Sequence, residues 1–146
     1  MSSGGFAGIP WLASNPVAYP ALEVVHIVGI ALLVGNLVAF ELRVWGAAPA
    51  LPIEPLARLS LGLALAGFAF VAASGLLMFG SQPGDLIANR AFVIKMGLVL
   101  VAGLNAGVSH ARGWLRRLDG RARAQTILSL GLWLTVMICG RWIAYV

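Results

Sequence analysis

Two histidines and a few other ionisable residues are the side chains in this sequence with the most chemical potential. His26 lies near the start of a long apolar stretch, and Glu23 precedes it by one helical turn. An ionisable group at the centre of a bilayer costs at least ~2.5–3.5 kcal/mol, so such a residue is a functional candidate by default. Imidazole is a ligand of haem iron and of copper, and Glu23 could accept its second ring N–H. A neutral histidine bonded to a neighbouring helix, or a proton relay, remains an alternative.

A further group of side chains is expected at the same depth as His26. Lys95 lies about one turn inside the third apolar stretch. It could extend to the headgroups, ligate iron, pair with a haem propionate or form an ion pair with Glu23. Arg90 and Arg141 could neutralise propionates. Met78 and Met96 carry thioethers, which bind haem iron or Cu(I), although methionine in apolar helices more often only fills space.

Glu41 and His110 form a second polar level at the opposite ends of the same helices. With a rise of 1.5 Å per residue, this level lies roughly 22 Å from that of His26 and Lys95. A second metal or haem there is one interpretation. A helix-terminal histidine stabilised by the helix dipole is the other interpretation of His110. His26 and His110 are therefore too far apart to ligate one iron.

The composition shows which elements must position these residues. Of 146 residues, 60% are apolar and 10% charged, against about 25% charged in soluble domains. A membrane-spanning helix needs ~20 mainly apolar residues, and four stretches qualify. We predict an all-α, single-domain, four-transmembrane-helix bundle over residues 1–146. Its helices are expected at about 19–40, 59–79, 91–109 and 124–145, and residues 1–18, which lack Lys and Arg, are expected to form an outer interfacial segment rather than a signal peptide.

An internal repeat organises the four helices into two tandem pairs. At an offset of 69 residues, Leu59-Ser60-Leu61-Gly62-Leu63 repeats as Leu128-Ser129-Leu130-Gly131-Leu132, and Asn36 falls on Asn105. The same offset pairs His26 with Lys95 and Glu41 with His110. Two helices per repeat predict a parallel duplication, with a pseudo-two-fold axis along the membrane normal. Coincidence among apolar helices is the alternative.

The arginines predict the orientation of the bundle. The second connection carries only Arg90, whereas the first and third together carry seven arginines: Arg43, Arg58, Arg112, Arg116, Arg117, Arg121 and Arg123. Arginine-rich loops remain cytoplasmic, so both termini are expected outside, in a bacterial inner membrane. The cluster also suits anionic lipids, and we expect no nucleic-acid partner.

Two segments carry a resemblance to known families. His26 begins a glycine-bearing helix that ends Phe40-Glu41-Leu42-Arg43, and the third stretch reads FVIKMGLVLVAGLN over residues 92–105. The chain resembles small four-helix bacterial membrane proteins related to copper-resistance protein D, and the haem-binding, four-helix protoporphyrinogen oxidase family. The resemblance implies a cytochrome-b-like bundle in which His26 is a haem ligand and Lys95 its functional partner; the copper family implies copper movement across the membrane.

Three functions follow as expectations. The first is a membrane redox protein that binds haem b near its outer side and exchanges electrons with a quinone or a redox partner protein. The second is copper handling, and the third is a cofactor-free accessory subunit of a larger membrane complex or homo-oligomer. Whether the protein is an enzyme stays open. The sequence shows no phosphate-binding loop and no nucleophile–base arrangement, which disfavours nucleotide-dependent and hydrolytic activities.

Labelling of engineered cysteines tests the predicted orientation. In a Cys139→Ala background, Ser3→Cys should react with an impermeant maleimide added to intact cells, because the N-terminus is expected outside. Gly120→Cys, beside the third connection, should react only after the cells are opened. Labelling of Gly120→Cys alone from outside would reverse the orientation.

Overall fold

A computed structural model describes residues 9–112 and 120–145, with the side chains of Pro10, Ala13 and residues 110–112 left aside. The elements in chain order are the short helix α1 (Pro10–Ser14), α2 (Ala18–Val44), α3 (Ile53–Ser81), the short helix α4 (Pro83–Ala88), α5 (Arg90–Arg112) and α6 (Gly120–Trp142), followed by a 3₁₀ turn at Ile143–Tyr145. We name the end where α2 begins and α6 ends the outer end, in keeping with the predicted orientation.

Four of these helices are long and apolar enough to span a bilayer: Ala18–Val44, Ile53–Ser81, Arg90–Ser109 and Gly120–Tyr145. Their outward surfaces are covered by large apolar side chains, and Leu65 and Leu76 are each 69% exposed in the isolated chain. A surface of this kind needs a hydrocarbon environment. The prediction of an all-α, four-helix, multi-pass membrane protein is therefore confirmed.

The helices extend beyond the predicted apolar stretches. α3 begins at Ile53, six residues before the expected start, and its first turn contains Pro55. Proline is tolerated there because the N–H groups of a first helical turn have no acceptor within the helix. The turn before it is made by Gly46 and Ala48, which have φ values of 103° and 47°. Apolar length therefore measures the bilayer crossing, while the hydrogen-bonded helix continues into the interface.

Two asparagines cap the outer starts of α2 and α5. The Asn15 side-chain oxygen accepts the N–H groups of Val17 and Ala18, both at 2.9 Å. The Asn89 oxygen accepts that of Ala91 at 3.0 Å, while its amide nitrogen donates to the carbonyl of Ile143 at 3.0 Å. Asparagine at this position satisfies N–H groups that the helix leaves unpaired. Asn89 also joins the start of α5 to the end of α6.

Consecutive long helices pack as two hairpins, α2 with α3 and α5 with α6, and the hairpins meet through α2 and α6. The central core contains Leu33, Ala64, Ala102 and Trp133, one residue from each long helix. At the offset of 69, Leu33 is equivalent to Ala102 and Ala64 to Trp133. The core is thus made of two repeat-related pairs, which is the burial pattern that a duplication predicts.

Other buried positions repeat in the same way. Three further equivalent pairs are buried in both hairpins, namely Phe40 with Ser109, Ala57 with Thr126, and Gly67 with Val136. The partners of Arg43 and Trp45, at positions 112 and 114, lie outside the described side chains. Within the described residues, the repeat therefore extends from sequence to packing.

Burial is concentrated in the inner half of the bundle. Phe40, Val44, Ala57 and Ala122 form a second apolar cluster there. By contrast, no described residue of α5 before Ala102 or of α6 after Val136 is buried. The two hairpins are therefore tightly packed toward the inner end and more open toward the outer end.

The α2–α3 hairpin crosses at two glycines. A Cβ atom on Gly67 would lie 2.6 Å from the Gly29 carbonyl oxygen and 2.6 Å from the Leu33 nitrogen. These neighbours are backbone atoms, which cannot rotate away as side chains do. Small residues at such crossings let membrane helices approach closely.

Replacing Gly67 by alanine should therefore loosen the hairpin. Overpacking typically costs about 1–3 kcal/mol, so the Gly67→Ala protein should unfold at a lower temperature or denaturant concentration in detergent. Gly62→Ala is the matched control, because a Cβ at Gly62 meets nothing within 4 Å. Equal stability of the two variants would contradict a backbone contact at the crossing.

Candidate functional site

His26 is bound to the neighbouring helix through a serine that the sequence analysis did not single out. Its Nδ1 lies 2.9 Å from the Ser74 Oγ of α3. Ser74 is 1% exposed, and its hydroxyl lies 2.6 Å from the Phe70 carbonyl oxygen. The Val71 carbonyl is a further acceptor near the ring. Serine in an apolar helix signals such interhelical bonds, but the pairing across 48 residues depends on the crossing of α2 and α3.

Lys95 reaches the same outer level from the other hairpin. Its side chain is partly buried, and a Cβ on Gly140 of α6 would lie 3.3 Å from its Nζ. The Lys95 ammonium acts electrostatically on the His26 imidazole. Each of these repeat-equivalent residues lies beside a glycine of its own hairpin, His26 beside Gly75 and Lys95 beside Gly140.

A glycine packs against each of the two side chains. A Cβ on Gly75 would lie 3.5 Å from the His26 Cε1, and one on Gly140 would lie 3.3 Å from the Lys95 Nζ. Toward the inner end, the level is bounded by the core that contains Leu33, seven residues or roughly 10 Å from His26. Toward the outer end, the Phe79 and Phe92 rings stack with centroids 5.6 Å apart. His26 and Lys95 therefore lie between the central apolar core and the stacked pair Phe79 and Phe92.

The other residues predicted at this level are exposed or bonded elsewhere. Glu23 and Arg90 are exposed, and Ser74 makes the ring contact that Glu23 was expected to make. Arg141 donates to the Tyr145 hydroxyl at 2.7 Å and lies over that ring. Met96 is 48% exposed on the outer surface of the bundle.

Met78 is partly buried on α3, and its carbonyl accepts the Ser81 hydroxyl. Outside the candidate level, an apolar groove of about 340 Å³ lies between α1 and α2, lined by Trp11, Leu12 and Leu22 among others. Its lining offers almost no polar atoms to a ligand. The chemistry at the outer end is thus concentrated at His26, Ser74 and Lys95.

The inner level joins the hairpins through polar side chains. Glu41 is 7% exposed, and the Ser129 hydroxyl lies within hydrogen-bonding reach of its carboxyl group. The Trp45 indole donates to the Thr126 hydroxyl at 2.7 Å. The predicted partner His110 lies in the last turn of α5, but its side chain lies outside the described residues.

Asn105 adds a contact within the second hairpin, where its side-chain oxygen accepts the Gln125 amide. The equivalent Asn36 instead donates to the Leu32 carbonyl of its own helix at 2.7 Å. The repeat therefore conserves the residue type here but not the bond. None of these polar contacts was derived from the sequence, because each depends on which helices become neighbours.

The donor set at the outer level is one imidazole and one amine. In the part of the chain that the structure describes, no group of three or more His, Cys, Asp or Glu side chains lies close enough to hold a bare metal ion. Haem iron takes four nitrogen ligands from the porphyrin and needs only one or two from the protein. One imidazole with glycine on its flank fits that requirement.

Comparison of the chain with protein-family models, curated proteins and solved structures finds no match.

Proposed function

We propose that this protein is an integral membrane redox protein that binds haem b near its outer end, with His26 as an axial ligand. One observation carries the proposal: His26 and Lys95, from different hairpins, lie at one level inside the bundle, each beside a glycine. An ionisable side chain inside an apolar bundle lowers its stability, which makes both residues candidates for a function. The predicted orientation adds that this end faces the outside of a bacterial inner membrane.

The packing of the bundle supports a cofactor at this level. The described residues of α5 and α6 near the outer end are not buried, whereas their inner halves form the common core. A planar group between the hairpins needs this kind of looser packing. The apolar residues on either side, Leu33 and Phe79 among them, would exclude water from it.

The residues of the site have separate roles in the proposal. His26 provides the nitrogen ligand, and Gly75 leaves space beside the ring. Lys95 supplies a positive charge that balances propionates or electrons at this depth. Haem b, when bound, supplies a one-electron Fe(III)/Fe(II) couple. Electron exchange with a membrane quinone is the partner reaction that the bilayer setting favours.

Removing the imidazole tests the haem proposal directly. His26→Ala should abolish the haem Soret band while the protein still inserts, because the packing is mainly apolar. His110→Ala is the matched control and should keep the band, since it lies roughly 20 Å away along the bundle. Spectra and pyridine haemochrome assays of purified variants measure both.

A wild-type protein that takes up no haem when haem is supplied would sink the proposal, as would a His26→Ala protein that retains it. Metal analysis of the same samples then separates the two other interpretations. Stoichiometric copper would support copper handling, and a metal-free protein would support the accessory-subunit role.

Lys95 gives a second test, through the reduction potential. A nearby positive charge stabilises the reduced haem, which carries one positive charge fewer, so Lys95→Met should lower the midpoint potential. Met96→Leu, at the adjacent and outward-facing position, should leave the potential unchanged. Redox titrations of both variants measure the difference, and a potential that rises or stays constant in Lys95→Met would contradict the assigned role.

A further inference from the structure

We propose that Ser74 is the positioning residue of the site: it holds the His26 imidazole in the tautomer whose hydrogen is on Nδ1. Nε2 then keeps the lone pair with which the ring binds a metal or accepts a proton. The inference deepens the proposed function and rests on it where haem is concerned. The tautomer itself is a property of the chain without any cofactor.

The direction of the hydrogen bonds follows from the acceptors around the serine. The Ser74 Oγ lies 2.6 Å from the Phe70 carbonyl oxygen and 3.2 Å from that of Val71. Carbonyl oxygens only accept, and a hydroxyl has one hydrogen to donate. Two oxygens 2.6 Å apart repel unless a hydrogen lies between them, so the Ser74 hydrogen is directed to the Phe70 carbonyl and Ser74 offers His26 a lone pair. The contact of 2.9 Å therefore requires a hydrogen on Nδ1.

The packing around Ser74 makes this contact durable. Ser74 is 1% exposed, so water does not compete for its hydroxyl. The Gly29–Gly67 crossing holds α2 against α3 one helical turn from His26. The ring is thus positioned from α3 although it is carried by α2.

A fixed tautomer matters because only the nitrogen without hydrogen can be a ligand. Histidines that ligate metals generally donate their other ring N–H to an oxygen acceptor, which sets both tautomer and ring orientation. A serine whose own hydrogen is committed to a carbonyl is such an acceptor. Ser74 would therefore act on the ligand through His26, without touching it.

Ser81 provides a matched control in the same helix. Its hydroxyl donates to the Met78 carbonyl at 2.6 Å, and the residue is 8% exposed. Ser81→Ala therefore removes the same kind of back-bonded, buried hydroxyl without removing the hydroxyl that bonds His26. Ser74→Thr keeps an oxygen at the position and serves as the conservative variant.

The tautomer is measured on the apoprotein. ¹⁵N NMR of histidine-labelled protein in detergent, in a His110→Gln background and at a pH where the ring is neutral, distinguishes the protonated from the bare nitrogen. We expect hydrogen on Nδ1 in the parent, Ser81→Ala and Ser74→Thr proteins. Ser74→Ala removes the Oγ acceptor but leaves the Val71 carbonyl near the ring, so the share of rings with hydrogen on Nδ1 should fall without vanishing. Hydrogen on Nε2 in the parent, or an unchanged Ser74→Ala spectrum, would overturn the proposal.

Haemin titration separates this proposal from the proposed function. Loss of the acceptor should weaken haemin binding by about ten- to a hundred-fold in Ser74→Ala and leave Ser81→Ala unchanged. If the parent binds no haemin but its tautomer depends on Ser74, the positioning role stands and the haem function fails. If haemin binds through His26 with the same affinity and tautomer in Ser74→Ala, the haem function stands and the positioning role fails.

Discussion

Hydrocarbon offers no hydrogen-bonding partner, and this constraint governs the structure from backbone to site. Every backbone group inside a bilayer must be satisfied internally, which leaves long helices as the solution for this apolar chain. The polar side chains obey the same constraint. Ser109 and Thr135 donate to carbonyls one turn back in their own helices, while Ser74 also meets His26. Most of these polar side chains are bonded to their own helix or join two helices, whereas among the described residues the Trp133 Nε1 and the Asn105 Nδ2 are buried without a partner.

The duplication distributes these polar groups unequally. Equivalent positions are buried together, as the pair Ala64 and Trp133 illustrates. Yet the small alanine and the large indole fill the core asymmetrically, and the Trp133 ring meets Phe68 edge-on. Equivalent positions are thus buried alike while their side chains differ. His26 and Lys95 differ in the same way, because these two equivalent positions carry an imidazole and an amine.

Inner and outer halves of the bundle have different tasks in this arrangement. The inner half holds the hairpins together through apolar clusters and through contacts such as Trp45 with Thr126. The outer half is joined by the Phe79–Phe92 stack between α3 and α5, while the Asn89–Ile143 bond lies within the second hairpin. The inner half carries most of the apolar packing between the hairpins, and His26 and Lys95 lie in the outer half. Binding sites in helix bundles are commonly built in this way from side chains of facing helices.

The sequence by itself determined the fold class, the four spans and the two-by-two organisation, because apolar length and a 69-residue offset are properties of the chain alone. It also identified His26 and Lys95, since ionisable residues in apolar stretches are conspicuous. Helix ends were less predictable: α3 starts at Ile53, where hydrogen bonding rather than hydropathy decides. Only the tertiary structure decided that Ser74, rather than Glu23, bonds His26. That choice depends on the close approach of Gly29 and Gly67, a contact between helices that no local pattern specifies.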